Sequence, residues 1–227
     1  MDNQTIDKIV WWIPFKRLRN LVRESLISIR NIELLYDKIN DIHDYIYKED
    51  IILSQSPSTP FYKRKQIVKY GKENDCKICV ETGTFLGDTA YLCSNYFDKF
   101  YTIELDDNLY KNAVKRFENN NKVICLKGDS GIVLKDLLKD IKEKTLFWLD
   151  GHYSDGITAR GEKDTPIMEE LSDILDHPIK NHVILIDDAR CFGEGDYPEI
   201  NKIEEFIRQY RPNCDFKVKN DIIRIIL

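Results

Sequence analysis

The 227-residue sequence predicts an α/β protein with a Rossmann-like, doubly wound sheet. Seven strands are expected, mostly parallel, with a terminal antiparallel hairpin and an N-terminal helical extension in front. Three observations carry this reading. From residue 77 onward, short apolar runs alternate with helical segments, the pattern of a parallel sheet with right-handed crossovers. The first run, Ile78-Cys79-Val80, is followed by Glu81, a glycine turn from Gly83 to Gly87, and a helix opening at Asp88. The last two runs, 216–218 and 222–227, are joined by Lys219-Asn220-Asp221, a tight reversal that makes a hairpin and turns one strand antiparallel.

The remaining elements follow in order. Strand one covers about 77–81 and its helix about 88–97. Strand two is Phe100 to Glu104, with a helix over about 107–119 that turns Leu109, Ala113, Val114 and Phe117 inward. Strand three is Lys122 to Leu126, followed by a helix over about 130–142. Strand four is Thr145 to Leu149. A polar loop of about 15 residues leads to a helix from Pro166 to Leu175. Strand five is His182 to Ile186, and a helix over about 198–210 precedes the hairpin.

Residues 1–55 differ from the rest and are read as a separate helical extension; residues 56–227 form the main domain. The extension has no glycine and one proline, Pro14. Ile9 to Phe15 is an aromatic cluster, and Lys16, Arg17, Arg19 and Arg23 follow it. Ile32, Leu35, Tyr36, Ile39, Ile42, Tyr45 and Ile46 recur at three- and four-residue steps, an apolar helical stripe. The stripe would dock on the main domain, pair with a second subunit in a homo-oligomer, or lie on a membrane surface beside the basic segment. Its opposite face mixes acids with bases, which favours the first two. Ser54 to Pro60, with two prolines and four Ser/Thr, reads as a linker, and a short helix is expected from Phe61 to about Lys72.

Composition narrows the function classes. Hydrophobic residues make up 42%, enough for a core, and charged residues 32%. The net charge of −5 argues against a nucleic-acid partner. Met1-Asp2-Asn3-Gln4 lacks the basic and apolar regions of an export signal, and no apolar run is long enough to span a bilayer. The six cysteines, irregularly spaced, are therefore expected as thiols in a cytoplasmic protein. Cys76 and Cys79 form a C-x-x-C, but the pair enters a strand and has no second copy, so it reads as two small apolar residues at the mouth of a buried strand.

Chemistry-bearing residues gather at the carboxyl edge of the expected sheet, where open α/β sheets bind ligands. Glu81 ends strand one, Glu104 and Asp106 strand two, Gly128-Asp129-Ser130 strand three, Asp150 strand four, and Asp187-Asp188 strand five. One such acid would cap the next helix; five successive strand ends need another reason.

Glu81-Thr82-Gly83-Thr84-Phe85-Leu86-Gly87-Asp88-Thr89-Ala90 resembles the first motif of class I S-adenosylmethionine-dependent methyltransferases. The resemblance covers about residues 60 to 227 in order and topology. It implies that Glu81, Thr82, Gly83, Thr84, Gly87 and Thr89 line the S-adenosylmethionine site, that Glu104 holds the ribose hydroxyls, and that Asp129, with Ser130, meets the adenine. Leu149-Asp150-Gly151 with Ile186-Asp187-Asp188 resembles the metal site of the macrocin O-methyltransferase (sugar methyltransferase) family and its catechol-type relatives. If strands four and five are neighbours, ~4.8 Å apart, the three aspartates converge on one cation. Carboxylate oxygens suit Mg²⁺ and also accept Mn²⁺ or Fe²⁺. The metal would lower the pKa of the acceptor hydroxyl and align it with the methyl group.

Gly151 to Pro166 is the expected acceptor loop. Catechol-type enzymes place a lysine base just after the matching aspartate; none stands there. His152, two residues past Asp150, is the candidate base, since imidazole titrates near neutral pH, and Tyr153 is the alternative. Arg160 and Lys163 are candidate contacts to a phosphate on the acceptor, and Arg190 a candidate for orienting it. His177 and His182 lie at the opposite edge and receive no chemistry. Lys8 to Asn20 is similar to a segment of bacterial enzymes that build capsule and lipooligosaccharide, which implies a sugar acceptor, nucleotide-activated or not.

Two other classes are weighed. A nicotinamide oxidoreductase needs G-x-G-x-x-G, whereas this turn has Gly83 and Gly87 alone and an acid that would repel a diphosphate. A non-catalytic methyltransferase-like binding subunit would have no use for the Asp150, Asp187 and Asp188 set. Within enzymes, a catechol-type small-molecule O-methyltransferase is the alternative.

Overall fold

The structure is a computed structural model that describes residues 3–10, 18–31, 57–151 and 165–227. The chain divides into two compact units, Met1–Gln55 and Ser56–Leu227. In the first, α1 spans Asn3–Val10 and α2 residues 18–31. Arg23 Nε lies 2.6 Å from Asp7 Oδ1 and Arg30 Nη1 2.6 Å from Asn3 Oδ1, so the two helices run antiparallel. These contacts are exposed and set geometry more than stability. The apolar stripe from Ile32 to Ile46 and the aromatic cluster beyond Val10 lie outside the described residues. Among the described residues, no helix is long and apolar enough to cross a membrane.

The second unit holds one seven-stranded sheet in the order β3-β2-β1-β4-β5-β7-β6. Its strands are β1 Ile78–Thr82, β2 Lys99–Glu104, β3 Val123–Lys127, β4 Thr145–Leu149, β5 Val183–Ile186, β6 Asp215–Lys219 and β7 Ile222–Ile226. The first five are mutually parallel, and β7 pairs antiparallel with both β5 and β6. Strands β1, β4 and β5 are buried along their whole length. That is why they read as unbroken apolar runs rather than alternating ones. Helices α3 Pro60–Glu73, α4 Asp88–Cys93, α5 Asp107–Phe117, α6 Ser130–Leu138, α7 Ile167–Asp176 and α8 Ile200–Tyr210 connect them. The expected helices over 88–97 and 130–142 stop early, at Cys93 and Leu138. The first passes into a short 3₁₀ turn, Ser94–Tyr96.

The core lies in two layers, one on each face of the sheet. Along β4 the side chains alternate: Phe147 and Leu149 face one layer with Leu134, Leu171, Ile174 and Ile207, from α6, α7 and α8. Leu146 and Trp148 face the other with Ile67, Ala90 and Phe117, from α3, α4 and α5. Three helices on each face of a mostly parallel sheet is the doubly wound arrangement that the sequence predicts.

Hairpin and α3 are tied together. Asn220 and Asp221 both adopt left-handed backbone, φ 49° and 60°, as a two-residue hairpin turn of this hand requires. Asn220 Nδ2 donates to the Tyr62 hydroxyl at 2.8 Å, and Ser58 Oγ donates to the Asn220 carbonyl. Arg224, 4% exposed, donates to the Ile222 carbonyl at 2.9 Å and reaches the Tyr62 hydroxyl at 3.3 Å and Gln66 Oε1 at 3.4 Å. The expected linker therefore ends in packed structure: Ser58 is buried, Thr59 caps α3 by accepting from the Tyr62 N–H, and Pro60 starts the helix.

Candidate active site

Strands β1 and β4 are neighbours whose chain connections leave in opposite directions, so the crevice at their carboxyl ends is the topological switch point of the sheet. On one side of it lies the glycine turn. Gly83 has φ +85°, and a Cβ there would meet the Asp150 carbonyl oxygen at 2.5 Å. No side chain fits, because the ends of β1 and β4 close up at this point. The Gly83 and Thr84 N–H groups both donate to the Ile103 carbonyl, at 3.0 and 3.2 Å, which folds the turn over β2.

Glu104, 6% exposed, is aimed by two backbone donors. Its Oε2 accepts from the Phe85 N–H and its Oε1 from the Asp106 N–H, each at 2.8 Å. Each oxygen keeps a lone pair, so a diol could still be held. Asp129 caps α6 by accepting from the Gly131 N–H at 2.9 Å, and Ser130 is buried beside it. Thr82 spends its hydroxyl on the start of the loop after β4, accepting from the Asp150 and Gly151 N–H groups at 3.2 and 3.1 Å.

Glu81 sits beneath the turn, 2% exposed. Its Oε2 accepts from Thr102 Oγ1 at 2.7 Å, Thr84 Oγ1 is 2.6 Å from the same hydroxyl, and Thr89 also bonds the carboxyl. Burial pushes the Glu81 carboxyl up to about 8 despite these bonds.

On the other side of the crevice lie the aspartates. Asp150, Asp187 and Asp188 each offer a carboxylate oxygen within 4.8 Å of the others. Adjacent parallel strands place them: Leu149 pairs with Ile186, and the acids follow both. Asp188 adopts left-handed backbone, φ 52°, and its N–H donates to Asp187 Oδ1 at 2.8 Å. Burial first, then Asp187, pushes the Asp150 carboxyl well up; burial and Asp188 push Asp187 up to about 6. Three crowded carboxyls of this kind could hold a hard divalent cation.

Among the described residues, two cations reach the cluster. Lys63 Nζ, from α3, is 2.6 Å from Asp187 Oδ2 and 3.0 Å from Asp188 Oδ1. Burial pulls its ammonium down, but Asp187, Asp188 and Asp150 outweigh that and hold it above the ordinary lysine value. Arg190 Nη1 is 2.8 Å from Asp188 Oδ1 and also bonds Asp221 Oδ2. Arg190, the candidate for orienting an acceptor, pairs with two acids through its Nη1.

A small cavity opens beside Asp187, lined among others by Gly151, Thr165, Glu170, Phe192 and Tyr197. The Phe192 and Tyr197 rings meet edge to face at 5.4 Å. His152, Tyr153, Arg160 and Lys163 lie outside the described residues. Sequence reasoning missed Lys63, Glu170 and Asp221. Lys63 stands in a basic run, Lys63-Arg64-Lys65, that reads as a solvated helix face.

No family model matches the sequence, and no curated protein does. Solved structures do match. A Staphylococcus aureus protein assigned as a caffeoyl-CoA O-methyltransferase superposes with a TM-score of 0.53 at 13% identity, over 86% of this chain and 100% of that one. The Bacillus cereus O-methyltransferase in complex with S-adenosylhomocysteine gives 0.52 at 12% identity, over 99% and 96%. The O-methyltransferase TomG of Streptomyces achromogenes, from tomaymycin synthesis and in complex with S-adenosylmethionine, gives 0.51 at 13%, over 83% and 96%. The chain has the class I methyltransferase fold. In that methyltransferase fold the Gly83–Gly87 turn, Glu104 and Asp129 stand together at the carboxyl edge of β1, β2 and β3, and the aspartate cluster at that of β4 and β5.

Proposed function

We propose that the protein is a metal-assisted O-methyltransferase that moves a methyl group from S-adenosylmethionine to a hydroxyl of a sugar. The observation that carries this is the Asp150, Asp187 and Asp188 cluster, within 4.8 Å, across the switch-point crevice from the glycine turn. The turn from Gly83 to Gly87 takes the methionine end of the donor, Glu104 its ribose and Asp129 its adenine. Asp150, Asp187 and Asp188 would hold the cation, Mg²⁺ first among hard divalent ions. Bound there, such an ion supplies the Lewis acidity that lowers the pKa of the acceptor hydroxyl. The hydroxyl oxygen forms the new bond to the methyl carbon, the carbon–sulfur bond breaks, and its electron pair stays on sulfur as S-adenosylhomocysteine. The hydroxyl proton passes to His152. The chain holds the two reactants in line and so supplies orientation. The motif resemblance supports a nucleotide-activated sugar destined for a surface glycan.

Calorimetric titration with S-adenosylmethionine tests the donor site; no binding with or without metal would sink the reading. Asp187→Ala should lower turnover by at least about 10²-fold while S-adenosylmethionine still binds. Activity that survives both this change and EDTA excludes the metal role. Incubation with a panel of nucleotide-activated sugars, read by mass spectrometry, identifies the acceptor.

A further inference from the structure

Lys63 is a feature of the crevice that the donor site does not account for. It comes from α3, outside the βαβ units that build the site. Its ammonium sits 2.6 Å from Asp187 Oδ2 and 3.0 Å from Asp188 Oδ1, oxygens that belong to the same cluster as Asp150. A divalent cation bound by that cluster needs those oxygens, and a coordinated oxygen cannot keep an ammonium at hydrogen-bond distance without strong repulsion between the two cations.

We infer that Lys63 is a tethered counter-cation that competes with the divalent ion for Asp187 and Asp188, so that metal loading displaces it. The inference rests on the metal-assisted reading above.

The surroundings say which of the two nearby cations yields. Arg190 is held by two acids: its Nη1 bonds Asp188 and Asp221, and its backbone N–H donates to Asp221 Oδ1 at 2.9 Å. Among the described residues, Lys63 makes its ion pairs with Asp187 and Asp188, through a flexible four-carbon stem that is 18% exposed. Its backbone is fixed, because α3 is bonded to the hairpin through Arg224, Asn220 and Tyr62. The ammonium can therefore leave the acids while the helix stays. Charge favours the exchange. The Asp150, Asp187 and Asp188 oxygens lie within 4.8 Å of one another, and Lys63 reaches two of these three acids with a single positive charge. A divalent ion relieves that crowding better than one ammonium does.

The test is Mn²⁺ binding to the full chain after EDTA treatment, followed by the electron paramagnetic resonance of free Mn²⁺. Wild type, Lys63→Met and Lys63→Gln are compared. Removing a unit charge a few Å from the ion should tighten Mn²⁺ binding in both variants by about tenfold or more. The rise in Tm on adding Mn²⁺ should be larger in the variants than in wild type. That second readout also works if a variant is unstable without metal, since Mn²⁺ then restores its folding. Equal or weaker binding in both variants overturns the competition while leaving metal assistance standing. Absence of Mn²⁺ binding in wild type and variants alike, at millimolar metal, overturns metal assistance and the competition together.

Discussion

Replacing Glu81 by Gln should remove one carboxyl's share of the stability that the wild type loses between about pH 4.5 and pH 8. Glu81 is 2% exposed, and burial pushes its carboxyl from 4.5 up to about 8 in the folded protein. The folded state therefore keeps the proton over a range in which the unfolded chain releases it. A raised folded pKa means stability that is fully present below about pH 4.5 and lost as pH rises toward about 8. At about 1.36 kcal/mol per pK unit, the loss is about 3 kcal/mol at pH 7 and about 4 kcal/mol near pH 8. Gln keeps an oxygen that accepts from Thr102 Oγ1, as Glu81 Oε2 does at 2.7 Å, and cannot ionise. Urea denaturation of the two proteins should therefore give midpoints within error of each other near pH 4.5. Near pH 8 the variant should be the more stable by a few kcal/mol. Curves that stay parallel from acid to alkaline pH would refute the protonated, inward-turned Glu81.

Three further outcomes follow from the same geometry. Gly83→Ala forces a left-handed alanine, about 1–2 kcal/mol, and drives a Cβ into the Asp150 carbonyl oxygen at 2.5 Å; Tm should fall and S-adenosylmethionine affinity by calorimetry should drop at least about tenfold. His182 is fully buried, with Nδ1 accepting from the Thr145 N–H at 3.1 Å and Nε2 2.9 Å from His177 Nδ1; burial, and then His177, pull it down to about 3. Its folded pKa lies below the ordinary 6.5, so stability is lost as pH falls from about 6.5 toward 3, at up to about 1.4 kcal/mol per pH unit. His182→Asn, which keeps an acceptor for Thr145, should flatten that acid limb in chemical denaturation by about one proton. Trp148→Ala, at a 1% exposed site in the centre of the sheet, should cost about 3–5 kcal/mol by denaturant midpoint.

The sheet was legible because its central strands are buried on both faces. Runs such as Thr145-Leu146-Phe147-Trp148-Leu149 and Val183-Ile184-Leu185-Ile186 have no polar interruption until an acid ends them. Helix ends were less legible, since the helices ending at Leu138 and Cys93 are closed by backbone hydrogen bonds of Lys139 and Ser94 rather than by proline or glycine. The aspartate cluster could be foreseen because β4 and β5 follow each other in the chain and in the sheet, so equal positions past their ends must converge. Lys63 could not. Its helix reads as a solvated basic face, and what brings it to the acids is a buried Arg224 on a strand at the other end of the chain. No spacing rule connects those residues.

Glu81 marks the limit of reading charge from letters. In the sequence it is an acid beside a glycine turn, and a formal charge there would complement a cationic sulfonium. In the fold Thr102, Thr84 and Thr89 enclose it, and burial holds its proton on at neutral pH. The negative field that a cationic donor would meet in this crevice then has to come from Glu104 and from the aspartate cluster. The cluster is the part whose charge Lys63 and a divalent ion set between them. If the competition holds, loading the metal changes the field at the donor sulfur as well as at the acceptor oxygen. Donor affinity and metal occupancy are therefore linked, and the linkage must be reciprocal. Calorimetry of S-adenosylmethionine binding at increasing Mn²⁺ should show weaker donor binding as the metal loads. The same donor, added first, should weaken Mn²⁺ binding by an equal factor. Affinities that do not move together would place the two charges in separate, screened environments and break the link.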